Sequence, residues 1–416
     1  MNSIRSVYLA KNKIIPKLQL VIDCTNKFAD NKRHQNNDVA LTIDPLKSII
    51  SFVTSIRMQP AQIECTTDAI FNSEQAAEPF SVIINAQVLI NIFQVIEQDF
   101  IECAFDFKKM KVNFFPATYS DKTLFNDTDT IVRRDTKHSY FDSFEMLENF
   151  VEYEITYPEH NLPEFSVTHH DVDYLKAIQT LVKHQNEKIS RLSLEIKTSA
   201  DHCRFTGACS VFYVSMPLLK AYSTPLSDPV RVYLNSDTLN ILIVLTSTFM
   251  QKFDMWIHVL FSEQALFIQT SEFKVKIQSV VGFPQKIRQI MDFSACEDDW
   301  IEANTFDIQK SLTKTAITDL KQSDTVILSL DGSNHISVMY KFGGRGANTV
   351  FDIQSPRNTN NLLTIEVKRP LFSDAVSIFS KRKNVRILGL LSQQLGLVMT
   401  DFNNECVVIM QKIGLR

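Results

Sequence analysis

"PVRVYLNSDTLNILIVL", residues 229–245, reads as a short strand that stops at Asn235-Ser236-Asp237 and restarts at once as an apolar helix. Asn, Ser and Asp suit that junction because their side-chain oxygens accept from the unbonded N–H groups that open a helix. No residue of the stretch carries obvious chemistry, so its interest lies in its repetition. "FSVIINAQVLINIFQVI" begins at Phe80 and "LTIEVKRPLFSDAVSIF" at Leu363, giving three copies about 150 and 130 residues apart.

Each copy is followed by two alternating stretches with a polar or small-residue turn, the pattern of a hairpin: "FIECAFDFKKMKVNFFP", "FDMWIHVLFSEQALFIQT" and "NVRILGLLSQQLGLVMTD". A related phrase precedes each copy: "SVYLAKNKIIPKLQLVID" from Ser6, "FSVTHHDVDYLKAIQTLVK" from Phe165 and "WIEANTFDIQKSLTKTAIT" from Trp300. Expected caps are Asn12, His170 or Asp171, and Asn304 or Thr305, with Pro16 delaying the first helix. The chain thus reads as six strand–helix–strands units, taken two at a time: a first domain over 1–116, a linker or insertion over 117–163, a second domain over 164–296 and a third over 297–416. The insertion is polar and turn-rich, with a short helical pattern around Phe144 to Phe150.

Bulk composition agrees with several domains. The 416 residues are 44% hydrophobic and 22% charged, with no apolar run long enough for a membrane span. The opening residues make a poor signal peptide, and seven scattered cysteines without a C-x-x-C pair read as reduced core thiols of a cytoplasmic protein. A net charge of −4 excludes a surface coated in positive charge, though not a local basic patch.

Such a patch is expected on the helices. At about 100° per residue, Lys310 and Lys314 lie about 40° apart with Lys321 between them, and Lys176 and Lys183 fall within about 20° of each other. Lys13 and Lys17, also about 40° apart, are set against Ile14, Ile15, Leu18 and Val21. The second-half helices carry Asn91, Gln94 and Gln98, or Asn240 and Ser247, and the last ends in Lys381-Arg382-Lys383 with Arg386 nearby. Lysines gathered on helices in a chain of negative net charge suit contact with a phosphate backbone without base reading.

Other constellations carry less. "KFGGRGAN", 341–348, lacks phosphate-loop spacing and reads as a hairpin turn; His169-His170-Asp171 reads as a helix cap, and "CEDD", 296–299, as a solvated linker. No nucleophile–base pair, metal set or cofactor motif is found, so neither an enzyme nor a cofactor is expected.

The order of these segments resembles the bacterial-type DNA polymerase sliding clamp, the β clamp. "VYLAKNKIIPKLQLV" resembles that family's first strand and helix. "RFTGACSVFYVSMP", Arg204 to Pro217, with the following "VRVYLNSDTLNILIVL", stands where the family has its T-D-G-H-R-L segment, a strand ending in M-P, and the next strand and helix. "VVGFPQKI", from Val280, is similar to the turn closing the second domain, and "CVVIMQKIGLR" to the last strand and basic tail. The chain departs from the family in Thr206-Gly207-Ala208-Cys209-Ser210-Val211, which lacks the His and Arg, in a tail without M-P-M, and in the length of 117–163. These departures suggest a divergent clamp, bacterial or viral.

The resemblance implies an α+β clamp fold, with helices lining the inside and antiparallel sheets outside. It implies a head-to-tail homodimer ring around duplex DNA, bound without sequence specificity, in the bacterial cytoplasm or an infected cell's replication compartment. DNA contacts would come from Lys13, Lys17, Lys176, Lys183, Lys310, Lys314, Lys321, Lys381, Arg382 and Lys383. A groove of Thr206, Gly207, Val211, Phe283, Pro284, Val408 and Met410 would take a peptide of the DNA polymerase or clamp loader. The alternative is a clamp-like viral processivity factor or structural interaction protein that never closes.

Overall fold

The computed structural model describes residues 4–26, 38–54, 61–71, 78–119, 131–133, 139–147, 155–156, 162, 164–182, 192–196, 202–208, 212–221, 230–252, 257–280, 300–317, 325–330, 334–342, 345–354, 363–388, 396–401, 403 and 406–415. Among the described residues six helices appear, each entered directly from a strand. The first run is β1 (Ile4–Ala10), α1 (Lys11–Asn26), β2 (Asp38–Asp44), β3 (Ile49–Thr54) and β4 (Ala61–Asp68). The second is β5 (Phe80–Asn85), α2 (Ala86–Val95), β6 (Phe100–Asp106) and β7 (Lys111–Tyr119), followed by three short strands, β8 (Ile131–Arg133), β9 (Tyr140–Ser143) and β10 (Glu145–Met146). The third is β11 (Glu164–Val167), α3 (His169–Val182), β12 (Leu192–Ile196), β13 (His202–Ala208) and β14 (Phe212–Ala221). The fourth is β15 (Val230–Leu234), α4 (Ser236–Lys252), β16 (Ile257–Phe261), β17 (Ala265–Gln269) and β18 (Phe273–Gln278). The fifth is β19 (Trp300–Asn304), α5 (Thr305–Ile317), β20 (Thr325–Leu330), β21 (His335–Phe342) and β22 (Arg345–Gln354). The sixth is β23 (Leu363–Lys368), α6 (Arg369–Ile378), β24 (Asn384–Leu388), β25 (Gly396–Thr400) and β26 (Val407–Leu415).

The junctions form because the caps are local. Asn85 accepts from the backbone N–H groups of Gln87 and Val88. Asn235 accepts from Thr238 N at 2.8 Å while Thr238 Oγ1 accepts from Asn235 N at 2.7 Å, a reciprocal cap. Asn304 accepts from Phe306 N. At α3 the expected cap moves back from His170 or Asp171 to Thr168, two or three residues earlier: Thr168 precedes the helix, and Asp171 accepts from both its N–H and its hydroxyl. Asn12 lies inside α1, which starts at Lys11 and runs through Pro16 rather than after it.

The chain forms two compact units. The first holds residues 1–162, 244–260 and 265–278. Here β6 lies between β1 and β7, and β2 between β5 and β3, all antiparallel. Apolar side chains from these strands and from α1 and α2 form the core, where Phe93 meets Phe114 edge-on at 5.9 Å. The 117–163 stretch adds strands to this unit: β8 and β9 both pair with β7, β10 pairs with β5, and buried Phe144 packs edge-on against Phe105 and Phe107. The helical pattern expected around Phe144 is therefore replaced, at Glu145–Met146, by strand. β4 also pairs with β18, antiparallel over Ala61–Cys65 and Phe273–Ile277.

The second unit holds residues 163–243, 261–264 and 279–416. β19, β24, β25 and β26 follow one another in one ladder, and β23, β20, β21 and β22 in another. β14, paired to β13, also pairs with β26 over Phe212–Ser215 and Val407–Met410. Alternating burial along β20 shows one face packed and the other half-buried, whereas β25 is buried throughout. Of the glycine-rich 341–348 stretch, 341–342 end β21 and 345–348 open β22, with Phe342 opposite Arg345.

Candidate functional site

The lysines expected to form basic stripes separate into three groups. Lys176 on α3 and Lys310 and Lys314 on α5 are exposed, as is Lys383 after α6. Lys176 lies eight residues past Thr168, but Lys310 and Lys314 lie six and ten past Asn304, so they do not occupy matching helix positions. Lys183 and Lys321 fall outside the described residues.

A second group is exposed but paired. Lys13 Nζ lies 2.9 Å from Asp68, whose carboxyl is held below the usual range by the hydrogen bond and charge of that lysine. Lys381 bonds to Asp173 of α3, and α3 packs against α6. Such pairs contribute little to stability and open readily.

The third group corrects the sequence expectation. Lys17 is 4% exposed; its Nζ donates to Thr66 O at 2.6 Å and sits 3.0 Å from Glu272 Oε2. It lies only about 60° from Ile14 and about 40° from Val21 on the helix, so its stem belongs to the buried face. Arg382 is only half-buried, with Nη1 2.9 Å from the buried Asp401 and a hydrogen bond to Tyr174. The Lys17 charge is thus turned away from solvent, and that of Arg382 is shared with a carboxylate. Lys368, where β23 turns into α6, is also exposed.

Of the expected groove residues, Thr206 and Gly207 lie on β13, and Val408 and Met410 on β26. The register runs Gly207–Val214–Val408 in one row and Thr206–Ser215–Val407 in the next. Successive rows point to opposite faces, so Gly207, Val408 and Met410 share a face and Thr206 looks the other way. Val408 and Met410 are 0% and 1% exposed, the burial of a floor rather than a rim. Val211, Phe283 and Pro284 lie outside the described residues.

Cys65, Cys103, Cys203 and Cys406 are buried thiols. Burial, then the charge of Asp401, pushes the Cys406 thiol up to about 12, so it stays protonated. Cys24, Cys209, "CEDD" and the His170 side chain are outside what is described. Among the described residues no three His, Cys, Asp or Glu side chains are grouped to hold a metal, and no helix is long and apolar enough to cross a membrane.

This arrangement of strand-entered helices and paired antiparallel sheets is the DNA sliding-clamp fold, and it extends over the whole chain. The DNA polymerase sliding clamp of Pseudomonas aeruginosa matches with a TM-score of 0.71 at 13% identity, covering 99% of this chain and 100% of that one. The Bacillus subtilis sliding clamp matches at 0.71 and 11%, covering 99% of each chain. The Helicobacter pylori β clamp bound to a DNA ligase peptide matches at 0.70 and 11%, over 98% and 100%. No family model and no curated protein matches the sequence.

Proposed function

We propose that this protein is a DNA sliding clamp: a non-enzymatic processivity factor that encircles duplex DNA without reading its sequence and tethers DNA polymerase and a clamp loader. The reading rests above all on the full-length clamp fold carrying exposed Lys176, Lys310, Lys314 and Lys383 on or beside its helices. A sliding contact must be weak and mobile, and scattered lysines on phosphates supply that. The chain would comprise three domains of two units each and work as a head-to-tail homodimer in the cytoplasm or an infected cell's replication compartment.

The partner groove would lie beside β13 and β26, with Gly207, Val408 and Met410 as floor and Thr206, Val211, Phe283 and Pro284 around it. The ligase peptide carried by the H. pylori clamp supports a peptide as its ligand. The decisive experiment loads the protein on nicked circular DNA and then linearises it. Retention on the circle with loss from the linear form is expected, and equal loss from both would leave only electrostatic adhesion. One observation favours the second reading, a clamp-like protein that does not close: the outer edge of β7 already carries β9.

A further inference from the structure

Two internal seams show how successive parts of this chain join. In each, the last strand of a strand–helix–strands unit pairs antiparallel with the last strand of a later hairpin: β4 with β18, and β14 with β26. The outer hairpin strand is joined through its first residues, Phe273–Ile277 or Val407–Met410. Applied once more, that rule leaves two strands over. β22 is the remaining unit-ending strand, and β7, in the β6–β7 hairpin, is the remaining acceptor.

The match of β22 to β4 extends to detail. Lys17, the seventh residue of α1, donates to the carbonyl of Thr66, and Ser311, the seventh of α5, donates to that of Val350 at 2.9 Å. The residues of β4 just before Thr66 pair with β18, so Arg345–Thr349, just before Val350, form the equivalent segment. β21 lines it on one side, and among the described residues β19 meets β22 only at Ile353 and Gln354. The matching segment of β7 is Lys111–Phe114, and β9 pairs with all four of its residues. β9 runs antiparallel to β7, the direction both seams use. It is held there by Phe144, whose N–H donates to Met110 O and whose ring is buried beside Phe105 and Phe107. Lys111 covers the otherwise exposed Phe141 ring at 4.9 Å.

We propose that β9 stands in for a strand of a second copy of this chain, holding the joining edge of β7 until that copy's β22 replaces it. A second copy cannot simply add outside β9: antiparallel addition there would reverse β22 relative to β7 and break the rule of both seams. The surface for the partner copy is thus Arg345–Thr349 on one side and Lys111–Phe114 on the other, and β9 sets the threshold for closure. This deepens the clamp reading and rests on it.

The test fixes β9 reversibly. Asn113 and Phe141 are directly opposed, a spacing a disulfide can bridge, so Asn113→Cys with Phe141→Cys locks β9 to β7 when oxidised. Native mass should show loss of dimer on oxidation and recovery on reduction, with oxidised wild type unchanged. Phe141→Pro and Asp142→Pro, made in turn because alternate residues bond in the ladder, should tighten the dimer about tenfold in one of the two. Equal dimer in locked and reduced protein overturns the proposal, as does a monomer in every variant. If the locked protein is still retained on circular DNA, the inference falls and the clamp reading stands. If neither form is retained, the clamp reading falls and the mass alone judges β9.

Discussion

Lys13 and Lys17, four residues apart on α1, have opposite fates. Lys13 keeps an exposed partner, Asp68, while the Lys17 ammonium is enclosed by Thr66 O, Glu272 and the Phe273 ring. Removing Lys17 leaves a strand carbonyl and a carboxylate without their donor. Lys17→Ala is therefore expected to lower stability by about 1–3 kcal/mol in urea unfolding, with the range held down because Glu272 is partly solvated. DNA retention per folded molecule should be unchanged. Lys314→Ala should do the reverse, shifting stability by less than about 0.5 kcal/mol and weakening retention. Helical angles made Lys310 and Lys314 legible as a pair. They could not reveal the burial of Lys17, which depends on Glu272, a residue far along the chain, or the pairing of Arg382 with Asp401.

Strand-to-helix junctions were the most legible elements, since a cap is decided within three or four residues. Asn235 and Asn304 sit where the sequence puts them and Asn85 caps α2, whereas α1 starts before Asn12 and α3 moves its cap back to Thr168, which bonds reciprocally with Asp171. Asn235→Ala should cost about 1–2 kcal/mol in thermal or urea unfolding, since it removes the side-chain oxygen that accepts from Thr238 N. A loss near zero would mean that strand β15 alone sets the helix start. β9 was not legible at all. Four residues without apolar alternation have no periodicity to detect, and what makes them a strand is the open edge of β7 beside them.

For the whole molecule, the repeat of six units could be read from hydrophobic period and spacing, but the seams could not, because nothing local marks β4 for β18 or β14 for β26. Charge behaves in the same distributed way. Replacing Lys176, Lys183, Lys310 and Lys314 with Ala should reduce the slope of log affinity against log salt by about 0.9 for each phosphate that is no longer neutralised. Fluorescence titration on duplex DNA at several salt concentrations measures this, and an unchanged slope would remove these lysines from the interface.

The same seams impose an order on synthesis. β14 leaves the ribosome 192 residues ahead of its partner, counting from Ser215 to Val407, and β4 waits 208 residues, from Cys65 to Phe273, for β18. At about 5–20 residues per second, each edge stands open for about ten to forty seconds of translation, long enough for a neighbouring nascent chain to find it. Expression yield should thus respond to translation speed and chaperone supply more than the finished fold's stability would suggest.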